Sequence, residues 1–390
     1  MTSAVIVDIV RTASGKGKPG GALSGIHPAT LLSTVLGALV ERNDLDPGLV
    51  DDVIAGCVGQ VADQSVNIAR TAVLAAGFPT SVPATTVDRQ CGSSQQAVHF
   101  AAQGVMAGAY DVVIAGGVES MSRVPMGSSA VGGHPMAPLA ERFPSLPHQG
   151  IGAELIAARW KLDRGQLDEY SARSHQRAAA QEGRGFASEI VPVRRPDGTV
   201  HEVDETVRAS TSAETLAGLP SAFRDEALGE RYPEIDWVIT PGNSSPLTDG
   251  ASAALIMSEE RAAALGLTPR ARLHSFAVVG SDPEIMLTGP IPATEKILQR
   301  SGLSIHDIDV YEVNEAFAPV PLAWAAEFDV DPERLNPRGG AIALGHPLGA
   351  SGTRLMTTMI NHLEATGGRY GLQTMCEGGG MANATIVERL

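Results

Sequence analysis

Two cysteines, one histidine and one asparagine stand in short segments rich in small residues, where strand-like patterns end. Cys91 lies in VDRQCGSSQQA, between an apolar run and a helical pattern, and Cys376 lies in TMCEGGGMAN, ahead of three glycines. His346 lies in the glycine-rich stretch GGAIALGHPLGASG, and Asn314 lies in YEVNEAFAP. A cysteine thiolate is a strong nucleophile, and the backbone N–H groups of a glycine turn can form an oxyanion hole. Together these residue types suit acyl transfer through a thioester, combined with proton removal at carbon.

Each of these residues also has a structural interpretation. Cys91 comes at the start of a predicted helix, where the helix dipole lowers the pKa of a thiol, but small buried cysteines are common in cores. A lone histidine is more often structural than catalytic, although His346 has no helical or strand pattern to pack into. Asn314 is predicted to end a strand and begin a helix, so its amide either caps that helix or holds a water. Convergence of these segments on one cleft would favour the chemical interpretation.

The composition is typical of a globular α/β protein that does not bind nucleic acid. The chain has 390 residues, of which 43% are hydrophobic and 19% charged, and its net charge is −15. This length suffices for two or three domain-sized units, and the abundance of glycine and alanine fits helices packed closely on sheets. The negative charge disfavours nucleic acid and anionic membranes as partners, and no apolar stretch approaches the ~18 residues of a membrane helix. An anionic small molecule would need a local basic site or a helix N-terminus.

Cys57, Cys91 and Cys376 are an odd number of cysteines at distant positions. They indicate neither a disulfide framework nor a zinc site, so we expect no metal ion. A reducing compartment keeps such thiols reactive. The N-terminal MTSAVIVDIV has an aspartate within a short apolar run, which predicts a strand rather than a signal sequence, and the C-terminal IVERL carries no peroxisomal tripeptide. We therefore expect a cytoplasmic protein.

The order of predicted elements repeats near the two ends of the chain. AVIVDIV, VDDVIAGCV and DVVIAGG predict strands, and ATLLSTVLGALVER and the segment after Cys91 predict helices. Near the C-terminus, LSIHDIDVYEVNEAF, ALGHPLGASGTRLMTTMINHLEATG and YGLQTMCEGGG follow the same order of strand, helix and strand. We expect two α/β halves of similar plan, with chance similarity between α/β segments as the alternative.

Three domains are predicted from this pattern. The N-terminal half covers residues 1–118 and is continued by residues 246–267, and the C-terminal half covers residues 268–390. Between them, residues 119–245 contain Pro- and Gly-rich stretches and helical segments such as LDEYSARSHQRAAAQE. We expect this inserted region to shape the substrate entrance.

From end to end, the chain resembles the thiolase family of acetyl-CoA acetyltransferases and 3-ketoacyl-CoA thiolases. The similarity runs through VRTASGKGKPGGAL, the Cys91 segment and NSSPLTDGASA, and the order Asn-Glu-Ala-Phe, Gly-His-Pro, Cys-x-Gly-Gly-Gly is its most specific part. The pattern Gln-Cys-Gly-Ser-x-Gln-Gln is similar to thiolases of bacterial steroid catabolism. The resemblance implies a duplicated five-layered αβαβα core with an inserted loop domain, in a homodimer or homotetramer.

The resemblance also implies roles for individual residues. Cys91 would attack the keto carbon of a 3-ketoacyl-CoA and keep the acyl group as a thioester, which coenzyme A then accepts. Cys376 would exchange the proton at C2 of the released acetyl-CoA. His346 would help to ionise Cys91 and donate a hydrogen bond to a thioester oxygen, while Asn314 orients a water. The backbone N–H groups of Cys91 and Gly378 would form the second oxyanion hole.

Two further positions are implied contacts of coenzyme A, which would be a co-substrate rather than a tightly bound cofactor. Ser245 matches a CoA-contacting serine of the family, and His148 matches a pocket histidine of the loop domain, although a structural role is an equal alternative for both. The chain departs from the family pattern at Asp88, where many members have asparagine, and in GSSQQA after Cys91. LAGLPSAF also lacks the usual basic residue, so an adenine contact is in doubt.

Four alternatives to a degradative thiolase remain open at this stage. The same motifs serve a biosynthetic acetyl-CoA acetyltransferase, because the reaction is reversible. A decarboxylating ketosynthase would carry a Cys-His-His arrangement instead of a second C-terminal cysteine. A Cys-His hydrolase has no use for that second thiol. A non-catalytic CoA-binding or scaffold protein would not become acylated by acetyl-CoA.

Overall fold

The computed structural model describes residues 2–143 and 146–390. Its strands are β1 Ala4–Thr12, β2 Gly15–Lys16, β3 Asp52–Gly56, β4 Ala84–Val87, β5 Val112–Ser120, β6 Ile190–Val191, β7 Val193–Arg194, β8 Val200–His201, β9 Thr248–Ser258, β10 Ala271–Gly280, β11 Val310–Val313, β12 Tyr370–Glu377 and β13 Met381–Arg389. Its helices are α1 Pro28–Arg42, α2 Ile68–Ala75, α3 Ser93–Met106, α4 Gln149–Arg159, α5 Arg164–Ala179, α6 Ala213–Ala217, α7 Glu226–Arg231, α8 Glu259–Ala264, α9 Pro290–Ser301, α10 Pro319–Phe328, α11 Ala341–Leu344 and α12 Ser351–Thr366. Within these two ranges, every helix is too short or too polar to cross a membrane.

The elements predicted around the candidate residues are confirmed. AVIVDIV lies in β1, VDDVIAGCV contains β3, and DVVIAGG begins β5. ATLLSTVLGALVER lies in α1, and the helix expected after Cys91 is α3. In the second half, the strand before Asn314 is β11, the helix after His346 is α12, and the strand ending near Cys376 is β12.

The two halves of the core share one strand order. In the first half the order is β3-β5-β9-β1, and in the second it is β11-β12-β13-β10. The first pair is parallel in both halves, and the next two pairs are antiparallel in both. The first half is extended by β4, which pairs in parallel with β3, and by the two-residue strands β2 and β6, which pair with β9 and β1. The predicted duplication is therefore confirmed at the level of topology, and a short antiparallel contact between β1 and β10 joins the halves.

The core forms five layers because each sheet buries both of its faces. On β1, alternating side chains go to different clusters: Val5 and Val10 pack with α1 and α2, whereas Ala4 and Ile9 pack with α3 and α12. The outer face of the second half packs against α9 and α10. The helices α3 and α12 contact each other and form the middle layer between strands of both halves. The expected αβαβα arrangement is confirmed.

The region between β5 and β9 is anchored to the first half by a buried ion cluster. Arg11 of β1 is fully buried, and its guanidinium lies 2.7 Å from the Glu189 carboxylate and 2.8 Å from the Asp204 carboxylate. β6 also extends the sheet by pairing in parallel with β1. A buried charge needs such partners because its desolvation costs several kcal/mol. The boundaries at residues 118, 245 and 268 stay a prediction.

Candidate active site

Cys91 lies in the short connection between β4 and α3. The helix begins two residues later at Ser93, as the sequence predicted. Gln90, directly before Cys91, has a φ of 47°, in the left-handed region that residues with a side chain rarely adopt. Such backbone conformations persist where the surrounding structure holds them, often at functional sites. The result is a cysteine that is only 9% exposed at the start of a central helix.

Cys376 reaches the same place from the other half of the core. It is the residue before the end of β12 and is 1% exposed. The strand runs into a turn in which Gly379 and Gly380 have φ values of 83° and 75°, which glycine adopts without strain. The backbone N–H of Gly378 stabilises the Cys91 thiolate, and ionised Cys91 in turn raises the pKa of Cys376. Two thiols that are 285 positions apart in the sequence therefore share one buried space.

The expectation that the helix start lowers the pKa of Cys91 is wrong. This pKa is raised to about 12, mainly by burial and to a smaller extent by the nearby Glu377 carboxylate. The N–H groups of Cys91 and Gly378 act in the opposite direction, but they do not compensate for the lost hydration of the thiolate. The thiol of Cys91 therefore stays protonated until something else changes its surroundings.

His346 is held in one orientation and in one tautomer. Its Nδ1 lies 2.6 Å from the Ser351 hydroxyl, and that hydroxyl donates to the Pro347 carbonyl oxygen at 2.9 Å. Since the hydroxyl proton is used, Nδ1 must carry the hydrogen and donate it to Ser351, which leaves a lone pair on Nε2. Burial lowers the pKa of His346 to about 3, with a smaller contribution from the Arg354 cation. The ring is therefore neutral and presents Nε2 as a proton acceptor.

Asn314 is the neighbour of this free ring nitrogen. Its Nδ2 lies 3.4 Å from His346 Nε2, and it is 1% exposed. The Oδ1 atom has no hydrogen-bond partner within the described residues, which leaves an acceptor for a water or a ligand. Asn314 directly follows Val313, the last residue of β11, and it does not begin a helix. The next helix, α10, starts at Pro319, so the alternative of a helix cap is wrong.

Gly352 allows the segment that follows His346 to pack closely against α3, the helix that begins after Cys91. A Cβ atom on Gly352, at the start of α12, would lie 2.3 Å from the backbone nitrogen of Gln95 in α3. The Thr353 N–H donates to the Ser94 hydroxyl at 3.0 Å, which fixes the register of the two helix starts. Any larger residue than glycine at position 352 would separate these helices. The close approach carries the His346 loop to the N-terminal end of α3.

Ser245 and His148 line a cavity of about 500 Å³ that also reaches His346. Its other walls are mostly apolar and include Met126, Phe223, Leu247 and Phe317. His148 has a structural role as well, because its Nδ1 accepts the Gly150 N–H at 3.2 Å and caps α4. A cavity with apolar walls and few polar groups is typical of a small-molecule site. The aromatic and methionine residues of this wall had no distinguishing sequence signal.

A basic depression adjoins this cavity across the segment Ser244–Leu247. It is lined by the cations Lys16, Lys18 and Arg208, in a chain with a net charge of −15. The Lys16 amine is 3.7 Å from the Glu205 carboxylate, which balances part of the positive charge. Local cations attract phosphate groups even on an acidic protein. This depression is the local basic site that an anionic ligand of such a protein requires.

Glu315, next to Asn314, holds the asparagine segment in place. Its carboxylate accepts hydrogen bonds from the Tyr170 hydroxyl at 2.8 Å and the Ser174 hydroxyl at 2.7 Å. It also accepts from the Asn336 amide at 3.0 Å and the Ile342 N–H at 3.1 Å. The glutamate of the Asn-Glu-Ala-Phe stretch therefore connects α5, β11 and α11.

Replacing Glu315 with alanine is expected to lower the free energy of unfolding by about 3–5 kcal/mol, because four buried donors lose their acceptor. Urea unfolding at one fixed protein concentration would measure the loss. Glu333→Ala is the matched control, since the Glu333 carboxylate is 74% exposed and pairs with Arg177, and such an exposed pair contributes about 0–1 kcal/mol. Equal losses in the two variants would contradict the anchoring role.

Comparisons with known proteins cover the whole chain. Residues 4–260 match the family described as Thiolase, N-terminal domain, and residues 267–389 match Thiolase, C-terminal domain. The chain is 50% identical to a steroid 3-ketoacyl-CoA thiolase, FadA6, of Mycobacterium tuberculosis, over 100% of this chain and 95% of that protein. It is 44% identical to a 3-ketoacyl-CoA thiolase of Photobacterium profundum over 100% of both chains. A crystal structure of a Bacillus anthracis acetyl-CoA acetyltransferase has a similar fold, with a TM-score of 0.89 and 38% identity over 100% of this chain and 99% of that one.

Proposed function

The chain belongs to the thiolase family, and from this premise we propose that it cleaves 3-ketoacyl-CoA with coenzyme A. The products are acetyl-CoA or propionyl-CoA and a shortened acyl-CoA, made through a thioester on Cys91. The observation that carries this proposal is the pair of buried thiols, Cys91 and Cys376, with the Gly378 N–H directed at the first of them. A hydrolase needs only one such thiol.

In the first half-reaction, the neutral His346 accepts the proton of Cys91 at Nε2, and the thiolate attacks the keto carbon. The bond between C2 and C3 of the substrate then breaks, and its electrons form the enolate of acetyl-CoA. The protonated His346 and a water held by Asn314 donate hydrogen bonds to the enolate oxygen. Cys376 gives its proton to C2. This step leaves an imidazolium at His346, a thiolate at Cys376 and an acyl group on Cys91.

In the second half-reaction, the Cys376 thiolate takes the proton of the coenzyme A thiol. The CoA thiolate attacks the acyl group on Cys91, and the N–H groups of Cys91 and Gly378 bind the negative oxygen of the tetrahedral intermediate. Cys91 leaves as a thiolate and takes the proton back from His346. Cys91, Cys376 and His346 recover their starting protonation states, and the proton added to C2 is replaced on Cys376 by the proton of the coenzyme A thiol, so the site needs no proton exchange with bulk water during a turnover.

Coenzyme A is the co-substrate in this proposal. Its thiol arm fits the cavity that Ser245 and His148 line next to His346. We assign its phosphates to the basic depression around Lys16, Lys18 and Arg208, because charge-assisted hydrogen bonds to phosphate are strong. The two spaces share the segment Ser244–Leu247, so one extended ligand can occupy both.

A second copy of the chain is the proposed protein partner, in a homodimer or homotetramer. Within the described residues, β4 is the last strand of its sheet and pairs on one side only. Phe100 on α3 and Val66 before α2 are exposed apolar residues of the same half. An exposed strand edge with apolar neighbours favours pairing with another chain. We also propose a cytoplasmic location, because all three cysteines are free thiols.

We expect a bulky, ring-bearing 3-ketoacyl-CoA to be cleaved with a kcat/KM at least about tenfold above that of acetoacetyl-CoA, a difference of about 1.4 kcal/mol. The apolar cavity of about 500 Å³ is large for an acetoacetyl group, and a relative named for steroid substrates is 50% identical. CoA-dependent thiolysis of both substrates by the same preparation measures the ratio. Faster cleavage of acetoacetyl-CoA would favour the biosynthetic alternative, in which two acetyl-CoA molecules condense. The Bacillus anthracis protein of similar fold is named an acetyl-CoA acetyltransferase.

A further inference from the structure

Glu377 is a buried carboxyl group at the site to which the proposed reaction gives no role. It ends β12, between Cys376 and Gly378, and is 0% exposed. Neither of its carboxyl oxygens has a hydrogen-bond partner within the described residues. Buried carboxyl groups are nearly always paired or hydrogen-bonded, because an isolated buried charge is costly. A solitary carboxyl group between two catalytic positions therefore requires an explanation.

The carboxyl group lies directly against the backbone of the nucleophile segment. A Cβ atom on Gly92, the residue after Cys91, would lie 2.0 Å from Glu377 Oε1. The same Cβ would lie 2.7 Å from Nδ2 of Asn383, which donates to the Gly92 carbonyl oxygen at 3.0 Å. Glycine at position 92 thus makes room for the carboxyl group beside Cys91. A negative charge that is shielded from water acts strongly on its neighbours, and the Glu377 carboxylate raises the pKa of the adjacent Cys91.

Few other charges face this group. From the connection before α3, the Arg89 cation lowers the pKa of Glu377 and the Asp88 carboxylate raises it. Burial is the largest effect and raises this pKa to about 8. In the described parts of the chain, Arg89 does not form a hydrogen bond with this carboxylate, because neither Glu377 oxygen has a partner and Arg89 Nη1 is directed at Met381 Sδ. The ionised carboxylate raises the pKa values of both Cys91 and Cys376.

We propose that Glu377 is a positioning residue that switches the reactivity of Cys91: its neutral form permits the thiolate, and its ionised form opposes it. The carboxyl group acts through Cys91 and touches no substrate. In the neutral state it adds no charge to a site that must hold a thiolate, and in the ionised state it places a second negative charge beside the sulfur. The inference rests on the proposed nucleophilic role of Cys91. It predicts that the enzyme loses activity as pH rises through the ionisation of Glu377.

Alkylation of Cys91 by iodoacetamide tests the switch in the full-length protein. The rate at Cys91 is followed by peptide mapping, which separates it from Cys57 and Cys376, in the wild type and in Glu377→Gln. At about pH 6.5 the carboxyl group is neutral, so the two proteins are expected to react equally fast. At about pH 9.5 the variant is expected to react about tenfold faster, the factor of one pKa unit, because glutamine carries no charge.

Glu377→Asp is the matched control, because it keeps the charge and should keep the pH dependence of the wild type. A purely structural role would change the rate by one factor at every pH, and a constant ratio between Glu377→Gln and the wild type would overturn the proposal. If Cys91 is not labelled in the wild type at any pH, the nucleophile assignment itself fails, and this inference fails with it. Labelling of Cys91 with a constant ratio contradicts the switch alone.

Discussion

Replacing Cys91 with alanine is expected to abolish acyl-enzyme formation and to lower kcat by at least about 10⁴-fold, the scale of losing a covalent nucleophile. The reason is that the N–H groups of Cys91 and Gly378 stabilise a thiolate at Cys91, and the proposed reaction uses the other candidate thiol, Cys376, for proton transfer instead of acylation. Intact-mass measurement after incubation with acetyl-CoA would show one added acetyl group in the wild type and none in the variant.

Cys57→Ala is the control that removes a buried thiol outside the candidate site. Cys57 is fully buried after β3, and its sulfur lies 3.9 Å from the Glu119 carboxylate rather than at the two catalytic thiols. This variant should still gain one acetyl group. An acetyl group on the Cys91→Ala protein would contradict the nucleophile assignment, and an unacetylated wild type would favour a CoA-binding protein without catalysis.

Replacing Cys376 with alanine is expected to separate acylation from proton transfer. The variant keeps Cys91, His346 and the Gly378 N–H, so acetyl-CoA should still acylate it. It lacks the group that gives a proton to C2, and loss of a general acid or base lowers a rate by about 10²–10⁴-fold. We therefore expect thiolysis to fall by this factor, and exchange of the C2 protons of acetyl-CoA with deuterium from the solvent to stop.

Mass spectrometry of recovered acetyl-CoA after incubation in D₂O gives the exchange directly. Cys376→Ser is the conservative variant, and it should also fail because a serine hydroxyl is a far weaker acid than a thiol. Continued exchange in the alanine variant would assign the C2 proton to another group, with His346 as the next candidate. Loss of both acylation and exchange would instead indicate that Cys376 supports the position of Cys91.

The protonation states of Cys91 and His346 have a consequence for both experiments. Burial raises the pKa of Cys91 to about 12 and lowers that of His346 to about 3, so the thiol and the imidazole are both neutral. An ion pair of thiolate and imidazolium is therefore disfavoured before substrate binds. The substrate carbonyl must supply the missing stabilisation, because its developing oxyanion is the group that the N–H donors are arranged to bind. This arrangement limits side reactions of the free enzyme, such as oxidation of the thiol.

Much of the fold was predictable from the sequence, because strands and helices depend on local periodicity. The alternation in β1 and the helical stripes of α1, α3 and α12 indicated their elements, and the repeated order of elements indicated the duplication. The extra strand β4, which breaks the symmetry between the halves, was not predicted. Its four residues, Ala84–Val87, are too few to give a clear pattern.

The identities of the candidate residues were also set by the sequence, since the spacing of the Cys91, Asn314, His346 and Cys376 segments is specific to one family. The sequence did not show that these four segments meet in space, because their meeting depends on glycines such as Gly352, which lets α12 contact α3. Hydrogen bonds between residues that are distant in the sequence were not predictable either. Of the two roles considered for Asn314, the helix cap was wrong, because four more residues separate Asn314 from the start of α10.

What only the tertiary structure decided is the electrostatic state of the site. The sequence places Cys91 at a helix start, and local reasoning gives a lowered pKa. The fold instead buries the thiol beside Glu377, and the effect of burial on the pKa is larger than that of the helix dipole. Desolvation depends on all the atoms that surround the thiol, whereas the helix dipole acts only through the first turn. The tautomer of His346 was likewise fixed by the Ser351 hydroxyl and the Pro347 carbonyl. Sequence chooses the reacting groups, and the packing around them determines their protonation, because hydration and distance are properties of the folded chain.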